Sequence, residues 1–320
     1  MRVSLKEKTK QFWTIYLMLT EHPRVTMTDL SEEIGATRKT TNLRLEEAYE
    51  KGHIVGPHLR KKSYKNFIEY VYLVDCKDAL EPYLKYVKDQ RISYHVVMDG
   101  FANLLVVSKE KIIIEGDVLV AGPRSDYHMS FPPDHSWDTA VEIMRKKVED
   151  FNQKKYEPQG IIENYWNKTI EWDKEDELLF RKLKYDLRKP LTPIRETYGI
   201  SAGKTWNWLD RLPKTCNILT QYFPETISAY DPYIFMFKTD YEDFIIDLFS
   251  KLPTSCLFFK VSDRLVLLAY MRRNLLRSID QRPSNINKLQ VPLLIRSLAK
   301  KGIVQKKDHA IVNYYWRKDI

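Results

Sequence analysis

The first fifty residues show apolar positions at helical spacing, in three stretches separated by short polar breaks. The stretches run from 6 to 21, from 28 to 35 and from 37 to 51. In the first stretch, Phe12, Ile15 and Leu19 fall on one face, as an amphipathic helix requires. Beyond Gly52 the pattern becomes alternating, in IVGPHLR and FIEYVYLVD on either side of the polar turn KKSYKN. This order predicts three helices followed by a β-hairpin.

The pattern that follows mixes helices with short strands. A helix is predicted from 77 to 90, followed by the strands ISYHVVM and NLLVVS and by a strand-rich stretch with the sequence IIIEGDVLVAGPRSDYHMSFPPD. A helix from 136 to 151 and a strand IIENYW complete the segment. Counted from FIEYVYLVD, the order is that of a split β-α-β, ferredoxin-like module.

The same pattern occurs a second time along the chain. LSEEIGATRKTTNLRL, which starts at Leu30, aligns without a gap on IRETYGISAGKTWNWL, which starts at Ile194, so that Gly35 and Gly199 coincide at an offset of 164. GIIENYWNKTI likewise aligns with AIVNYYWRKDI at the end of the sequence, at an offset of 150. NLLVVSKEK, from Asn103, matches RLVLLAYMR, from Arg264, at an offset of 161, and the fall from 161 to 150 means that the first copy carries about eleven extra residues between 111 and 136.

The second copy predicts the same elements as the first. They are helices at 173–187, 191–198 and 201–212, a hairpin across 216–238, a helix at 241–251, the strands LFFKV and LVLLAYM, a helix at 286–301 and the strand AIVNYYW. We therefore predict an α+β fold, a tandem repeat of a winged helix-turn-helix head and a ferredoxin-like (βαββαβ) module. The predicted domains are a first head (1–66), a first effector or dimerisation module (67–170, with an insertion at 111–135), a divergent second head (171–229) and a second module (230–320).

Composition restricts the class of protein. The 320 residues are 43% hydrophobic and carry a net charge of +9, with a pI near 9.1, which favours polyanionic partners. Cys76, Cys216 and Cys256 are scattered, without a CxxC pair, and indicate reduced thiols in a cytoplasmic protein. No run approaches the ~20 apolar residues of a membrane span, so we expect no membrane partner.

The stretch around Gly35 has the features of a helix-turn-helix. Gly35 permits a tight left-handed turn and Thr37 can cap the next helix. Arg38, Lys39 and Asn42 then point outward near the start of that helix, where such residues contact phosphates and base edges.

This region resembles the DNA-binding head of the leucine-responsive regulatory protein (Lrp/AsnC) family. The family pattern falls on Arg24, Val25, Thr26, Leu30, Ile34, Gly35, Thr37, Thr40, Glu50, Gly52 and Ile54. DGFANLLVV, from Asp99, is similar to a turn and strand in the family's effector (RAM) module, although Asn103 stands where the family usually has Asp. The resemblance implies a transcription regulator that binds double-stranded DNA and whose two modules pair within the chain as a pseudo-dimer. A homodimer and a small-molecule effector remain alternatives.

The predicted site residues follow from this interpretation. The predicted DNA-binding residues of the first head are Thr37, Arg38, Lys39, Thr40, Asn42, Arg44, Arg60, Lys61, Lys62 and Lys65. The predicted contacts of the second head are Ser201, Lys204, Trp206 and Arg211, and the predicted effector residues are Asp99, Gly100 and Asn103. The second head is less basic, since residues 201–228 carry +1 and residues 37–66 carry +5. Its role is therefore either weak DNA contact or protein contact, and Trp206 and Trp208 could equally pack against the neighbouring module.

Other site types have weaker support. His128 and His135 lack the short fixed spacing of metal ligands, so we expect no metal and no cofactor. No nucleophile, paired-carboxylate or phosphate-loop pattern is visible, and the leading hypothesis is therefore not an enzyme. Two alternatives stay open. Siroheme decarboxylases resemble the same architecture and use the module's pocket for tetrapyrrole chemistry, so the fold does not decide the function. A protein-interaction adaptor acting through the second head is the other alternative.

Overall fold

The computed structural model describes residues 4–273 and 286–317 and divides the chain into two compact units. The first unit combines residues up to 62 with residues 170–228, and the second combines residues 63–169 with those from 229 onward. Both units contain helices and antiparallel strands, which confirms the predicted α+β class. Within the described ranges, no helix is both long enough and apolar enough to cross a bilayer.

The helices and strands of both units are as follows, in chain order. The helices are α1 (Leu5–Glu21), α2 (Met27–Glu33), α3 (Arg38–Glu50), α4 (Leu80–Lys88), α5 (Trp137–Asp150), α6 (Lys174–Leu183), α7 (Leu191–Tyr198), α8 (Ala202–Thr215), α9 (Glu242–Phe249) and α10 (Ile286–Lys300). The strands are β1 (Ile54–Lys61), β2 (Tyr70–Asp75), β3 (Ile92–Gly100), β4 (Leu104–Ser108), β5 (Asp117–Pro123), β6 (His128–Met129), β7 (Cys216–Tyr222), β8 (Tyr230–Lys238), β9 (Leu257–Val261), β10 (Arg264–Arg272) and β11 (Lys306–Arg317).

The first unit holds two helical triplets, α1–α3 and α6–α8. Positions 164 residues apart have the same local structure in the two triplets. Thr37 and Ser201 each accept a hydrogen bond from the backbone N–H three residues later and so cap α3 and α8. Gly35 and Gly199 both have positive φ, at 63° and 67°, where a side chain would be strained. Each triplet has its own core, with Ile15 and Leu19 fully buried in the first and Leu179 and Leu183 in the second.

Strands β1 and β7 join the two triplets. They form a two-stranded antiparallel sheet, in a register that runs from Ile54 opposite Tyr222 to Lys61 opposite Cys216. The predicted hairpins are therefore wrong, because β1 does not pair with β2 and β7 does not pair with β8. The connection after β1 is too long for a tight hairpin turn and instead forms a 3-10 turn at Lys65–Phe67.

The second unit is built on a nine-stranded antiparallel sheet. The strand order is β5-β2-β4-β3-β11-β8-β10-β9-β6. The segment from 117 to 129 supplies both end strands, β5 and β6, and Arg124 within it forms a bridge to Val261 of β9. The sheet therefore curls until its two edges are bordered by the same segment. Its apolar core includes Val96, Met98 and Val266, all nearly fully buried.

The two halves of this sheet differ. The second half follows the predicted order β8-α9-β9-β10-α10-β11, with β11 beside β8. In the first half, β5 of the extra segment takes the place beside β2, and α5 packs on α10. The predicted strand IIENYW is wrong. The Asp243 carboxylate accepts hydrogen bonds from the backbone N–H groups of Gln159, Gly160 and Ile161, which are thereby unavailable to a strand ladder.

Candidate functional site

The recognition-helix residues predicted from the sequence lie at the start and along the outer face of α3. Arg38 and Lys39 are exposed, and the Thr37 hydroxyl contacts that of Thr40 at 3.0 Å. Asn42 donates a hydrogen bond to Glu46 at 2.7 Å. Arg44 is mostly buried, and it donates to Gln11 and forms an ion pair with Glu47 at 2.9 Å. Arg44 is therefore committed to packing α3 on α1.

The predicted wing residues do not form one basic surface. The Arg60 guanidinium lies over the Tyr185 ring at 5.6 Å. Lys61 forms an ion pair with Glu177 and lies over the rings of Trp172 and Phe180. The backbone N–H of Lys62 donates to the Thr215 carbonyl, whereas Lys65 belongs to the second unit and is exposed.

The second triplet places its four predicted residues on or beside α8. The Ser201 hydroxyl caps the helix, and Lys204 forms ion pairs with Asp173 and Asp176 at 2.6 and 2.7 Å. Arg211 also contacts Asp176, at 3.4 Å. Trp206 is 58% exposed, whereas Trp208 is 1% exposed and lies in the core of the second triplet.

The predicted effector residues lie at the turn between β3 and β4. Asp99 is exposed, and a Cβ on Gly100 would meet the His309 carbonyl oxygen at 2.4 Å. The Asn103 side chain accepts from the Cys76 backbone N–H at 2.8 Å and donates to the Cys76 carbonyl at 2.5 Å. Asn103 thus fastens the turn to the end of β2, a structural role.

A cavity that the sequence did not predict lies within the first unit, between the two triplets. Its volume is about 670 Å³, in the range of small-molecule sites. The apolar lining consists of Met18, Pro23, Val25, Leu187, Leu209, Leu212, Pro213 and Ile218. The polar lining consists of His22, Arg24, Thr26 and Asp29. The cavity therefore combines leucine-rich walls with one guanidinium, one imidazole and one carboxylate.

Arg24 and its equivalent Arg188, 164 residues further on, are the main electrostatic feature beside this cavity. Nη1 of Arg24 donates to the carbonyls of Leu187 and Lys189, the residues on either side of Arg188. Nη1 of Arg188 donates in return to the carbonyls of Pro23 and Val25, at 3.4 and 2.9 Å. Each arginine thus holds the backbone that flanks the other, and together they fasten the two triplets.

The two guanidinium groups also act on each other. Partial burial and the positive charge of Arg188 lower the pKa of Arg24, and Asp186 offsets part of this effect. Within the described part of the chain, neither guanidinium has a carboxylate at ion-pair distance. Among the described residues, only Nη1 of Arg24 makes hydrogen bonds, so Nε and Nη2 remain for an anion. The positive potential at the cavity is therefore only partly compensated by the protein.

The cavity exists on one side of the first unit because the two triplets differ there. Pro213, on the cavity wall, lies 164 residues after Tyr49, which occupies the equivalent place on α3. Burial raises the pKa of Tyr49 to about 12, and the charges of Arg188 and Asp186, the equivalents of Arg24 and His22, have smaller effects on it. A tyrosine ring thus fills one position, whereas proline leaves the other open. This difference is visible in the sequence at the 164-residue offset.

The chemical groups of the cavity allow anion binding and proton transfer. Arg24 can pair with a carboxylate or phosphate, and the exposed His22 imidazole can donate or accept a proton. The lining has no cysteine, serine or lysine nucleophile. The described residues contain no cluster of His, Cys, Asp and Glu that could hold a metal ion.

Comparison with known proteins gives one distant likeness. No model of a known family matches the chain, and no curated protein matches it. Among solved structures, it is similar to the siroheme decarboxylase NirDL, at 12% identity and a TM-score of 0.48, over 96% of this chain and 92% of that one. A second structure of that enzyme, in co-complex with an iron-uroporphyrin III analogue, is similar at 11% identity and a TM-score of 0.44, over 98% and 93% of the two chains.

These findings correct three predictions. The chain was predicted to belong to the Lrp/AsnC family, to be a DNA-binding transcription regulator and not to be an enzyme. The likeness found is to an enzyme and not to a regulator, so these predictions are wrong. The contacts explain part of the error, because Arg44 and Lys61, read as DNA contacts, are engaged in ion pairs within the first unit. At this identity and TM-score, the likeness does not assign a substrate to this chain.

Proposed function

We propose that the chain is an enzyme that binds a tetrapyrrole carboxylate in the cavity of the first unit and removes a carboxyl group from it. The observation that carries the proposal is the partly buried Arg24 guanidinium, which faces a cavity of about 670 Å³ without a carboxylate partner among the described residues. A ligand that fits must supply negative charge at Arg24 and apolar surface for the leucines. Tetrapyrroles with carboxylate substituents have both.

The binding mode follows from the lining. One carboxylate of the ligand pairs with Nε and Nη2 of Arg24, the two nitrogens that make no bond within the described chain. The ring edge packs on Leu209, Leu212 and Ile218. The carboxylates on the far side of the ring remain in water, since the cavity is open to solvent.

The proposed decarboxylation depends on the cavity having a charged group, Arg24, at one place and apolar leucine side chains at another. A carboxylate held by Arg24 is stabilised as an anion and is not the one that leaves. A carboxylate placed against the leucines is poorly solvated, which favours loss of neutral carbon dioxide. The carbon–carbon bond breaks with its electron pair left on the substrate carbon, and a proton from His22 completes the new carbon–hydrogen bond.

We further propose that the architecture is a tandem repeat of a winged helix-turn-helix head and a ferredoxin-like module, with boundaries near 66, 170 and 229. In this proposal the two modules pair within the chain as a pseudo-dimer, and the two heads pair in the same way. Support comes from the equivalent caps at Thr37 and Ser201 and from the reciprocal bonds of Arg24 and Arg188. The βαββαβ order from β8 to β11 supports the module assignment.

The experiment is a titration of the full-length protein with siroheme and with iron uroporphyrin, followed by absorbance and by quenching of tryptophan fluorescence. We expect saturable binding of one macrocycle per chain and weaker binding at higher salt, because a charge pair is screened by ions. Incubation with siroheme should then give a product lighter by carbon dioxide, detected by mass spectrometry.

The control ligand is the methyl ester of the same porphyrin, which keeps the ring and removes the charges. Equal binding of acid and ester would refute the role of Arg24 as the anion site. If neither siroheme nor iron uroporphyrin changes the spectrum at concentrations well above those of the protein, the proposed function is wrong. Saturable binding of siroheme without a lighter product would reject the decarboxylase activity alone.

A further inference from the structure

Two equivalent positions exist in the first unit, and one of the differences between them is a large side chain that is present in only one of the two. The first position is the cavity, bordered by Arg24, Leu209 and Pro213. The second is reached by shifting these residues by 164, which gives Arg188, Leu45 and Tyr49. Both arginines make the same pair of bonds to backbone carbonyls, so the backbone around the two positions corresponds. Their side chains differ elsewhere as well, since Asp186 stands at the equivalent of His22 and Ala48 at that of Leu212.

The second position is filled from within the chain. Tyr49 packs against the core of the first triplet, and its hydroxyl is buried without a hydrogen-bond partner in the described residues. A buried hydroxyl without a partner is unfavourable by about 1–3 kcal/mol. The ring therefore sits there for its volume, and the hydroxyl adds nothing that the structure uses.

The first position is open because residue 213 is a proline. Pro213 lies in the last turn of α8, where its short ring cannot reach the space that a tyrosine would fill. Proline inside a helix lacks the backbone N–H and disfavours the helical turn before it. At position 213 proline is thus unfavourable for the helix and leaves a cavity, two properties that a folding role does not explain.

We infer that Pro213 and Tyr49 determine the number of ligand sites in the first unit, with Pro213 keeping one anion-binding cavity open and Tyr49 closing its equivalent. The inference rests on the proposed function only for the identity of the ligand. The open cavity accepts an anion with an apolar body, and the closed position would accept the same class of ligand if the Tyr49 ring were removed.

The test uses 1-anilinonaphthalene-8-sulfonate, an anion with an apolar body, as the probe for full-length protein, with siroheme in a parallel titration. Pro213→Tyr should weaken binding of the probe by about 30-fold or more, since an added ring must be displaced from a packed space. Pro213→Ala is the matched control for the ring, because it also restores the backbone N–H but adds no ring, and it should bind the probe at least about 10-fold more tightly than Pro213→Tyr. Both variants should fold, because each removes a proline from a helix.

Tyr49→Ala should raise the stoichiometry from one probe molecule per chain to two, with circular dichroism to establish folding. If Tyr49→Ala unfolds, the Pro213→Tyr and Pro213→Ala pair decides the question. Unchanged probe affinity in Pro213→Tyr would overturn the inference, as would a folded Tyr49→Ala that still binds one molecule. If the probe follows the expected pattern and siroheme does not bind wild type, the inference stands and the proposed function fails.

Discussion

Replacement of Arg24 by glutamine is the most direct perturbation of the candidate site. Glutamine keeps part of the length and hydrogen-bonding capacity of the side chain but removes the positive charge. Two effects follow, because Arg24 both faces the cavity and bonds to the carbonyls of Leu187 and Lys189. The effect on binding must therefore be separated from the effect on folding.

The magnitudes can be worked out for each effect. A hydrogen bond between a guanidinium and a ligand carboxylate contributes about 1.5–3 kcal/mol, and the half-exposed position of Arg24 favours the lower end. We expect a loss of about 1.5–2 kcal/mol, which is a 10- to 30-fold weaker affinity. Loss of the bonds to the two carbonyls should lower the free energy of unfolding by about 1–2 kcal/mol. Relief of the repulsion from Arg188 offsets part of that decrease.

The chain supplies its own control in Arg188→Gln. Arg188 makes the equivalent bonds, to the carbonyls of Pro23 and Val25, so the two variants should lose similar unfolding free energy in urea titrations. Arg188 does not line the cavity and acts on the ligand only through its field. Its replacement should therefore weaken affinity by less than about threefold. Affinity is measured by fluorescence quenching with iron uroporphyrin at low and high salt.

The comparison has a clear refuting result. If Arg24→Gln and Arg188→Gln weaken binding equally, the loss comes from loosening of the two triplets and not from removal of an anion contact. If neither variant weakens binding, the ligand lies elsewhere. The salt dependence of the affinity adds a second criterion. The affinity of Arg24→Gln should change less with salt concentration than that of wild type, because the charge contact has been removed.

Two further predictions concern the stability of the triplets. Trp208→Ala should lower the free energy of unfolding by about 3–5 kcal/mol, because Trp208 is 1% exposed. Trp206→Ala should change it by less than about 0.5 kcal/mol, because Trp206 is 58% exposed. Equal losses for the two variants in urea unfolding would contradict the packing described. The hydrogen bond from Lys51 lowers the pKa of Glu47 from 4.5 to about 2; Lys8 adds to this effect and burial opposes it. The Glu47 carboxylate therefore makes its full contribution to the free energy of unfolding above about pH 4.5, and this contribution is lost as the pH falls toward 2. Wild type should therefore lose about 1 kcal/mol more than Glu47→Gln between about pH 5 and pH 3, and parallel pH profiles would count against this ion-pair network.

Local features of the fold were predictable from the sequence. The apolar spacing of Phe12, Ile15 and Leu19 predicted α1, and those side chains are buried. Gly35 and Thr37 predicted the end of one helix and the cap of the next, and both have the expected geometry. These predictions succeed because periodicity, capping and positive φ depend on residues close together in the chain.

Strand pairing was not predictable in the same way. The alternating pattern of IVGPHLR correctly indicated a strand, but a strand's own pattern does not identify its partner, and β1 pairs with β7 more than 150 residues away. The segment IIENYW has a strand pattern, yet the Asp243 carboxylate binds the backbone N–H of its first residue, Ile161, and those of the two residues before it. A tertiary contact of this kind leaves no signal in the local sequence.

The cavity was not predicted from the sequence for a related reason. Arg38, Lys39 and Arg44 were grouped because they lie close together in sequence on a helix with a DNA-binding pattern. In the structure these residues differ in their surroundings, since Arg44 forms an ion pair with Glu47 whereas Arg38 and Lys39 are exposed. The cavity is lined by residues from segments near 22 and near 213, which are far apart in the sequence. Only a comparison of the two copies, position by position, could have indicated it.

The presence of both copies in one chain allows the two positions to differ. In a symmetric pair of identical chains, a tyrosine at position 49 would fill both positions, and a proline would leave both open. Here the two positions are encoded separately, so Arg24 and Arg188 keep the same bonds while Tyr49 and Pro213 diverge. The arginines hold the two triplets together and the diverged pair decides where a ligand fits. Tyr49→Ala and Pro213→Tyr should therefore alter binding of the ligand without loosening the triplets, whereas a change at 188 should loosen the triplets and leave the stoichiometry at one.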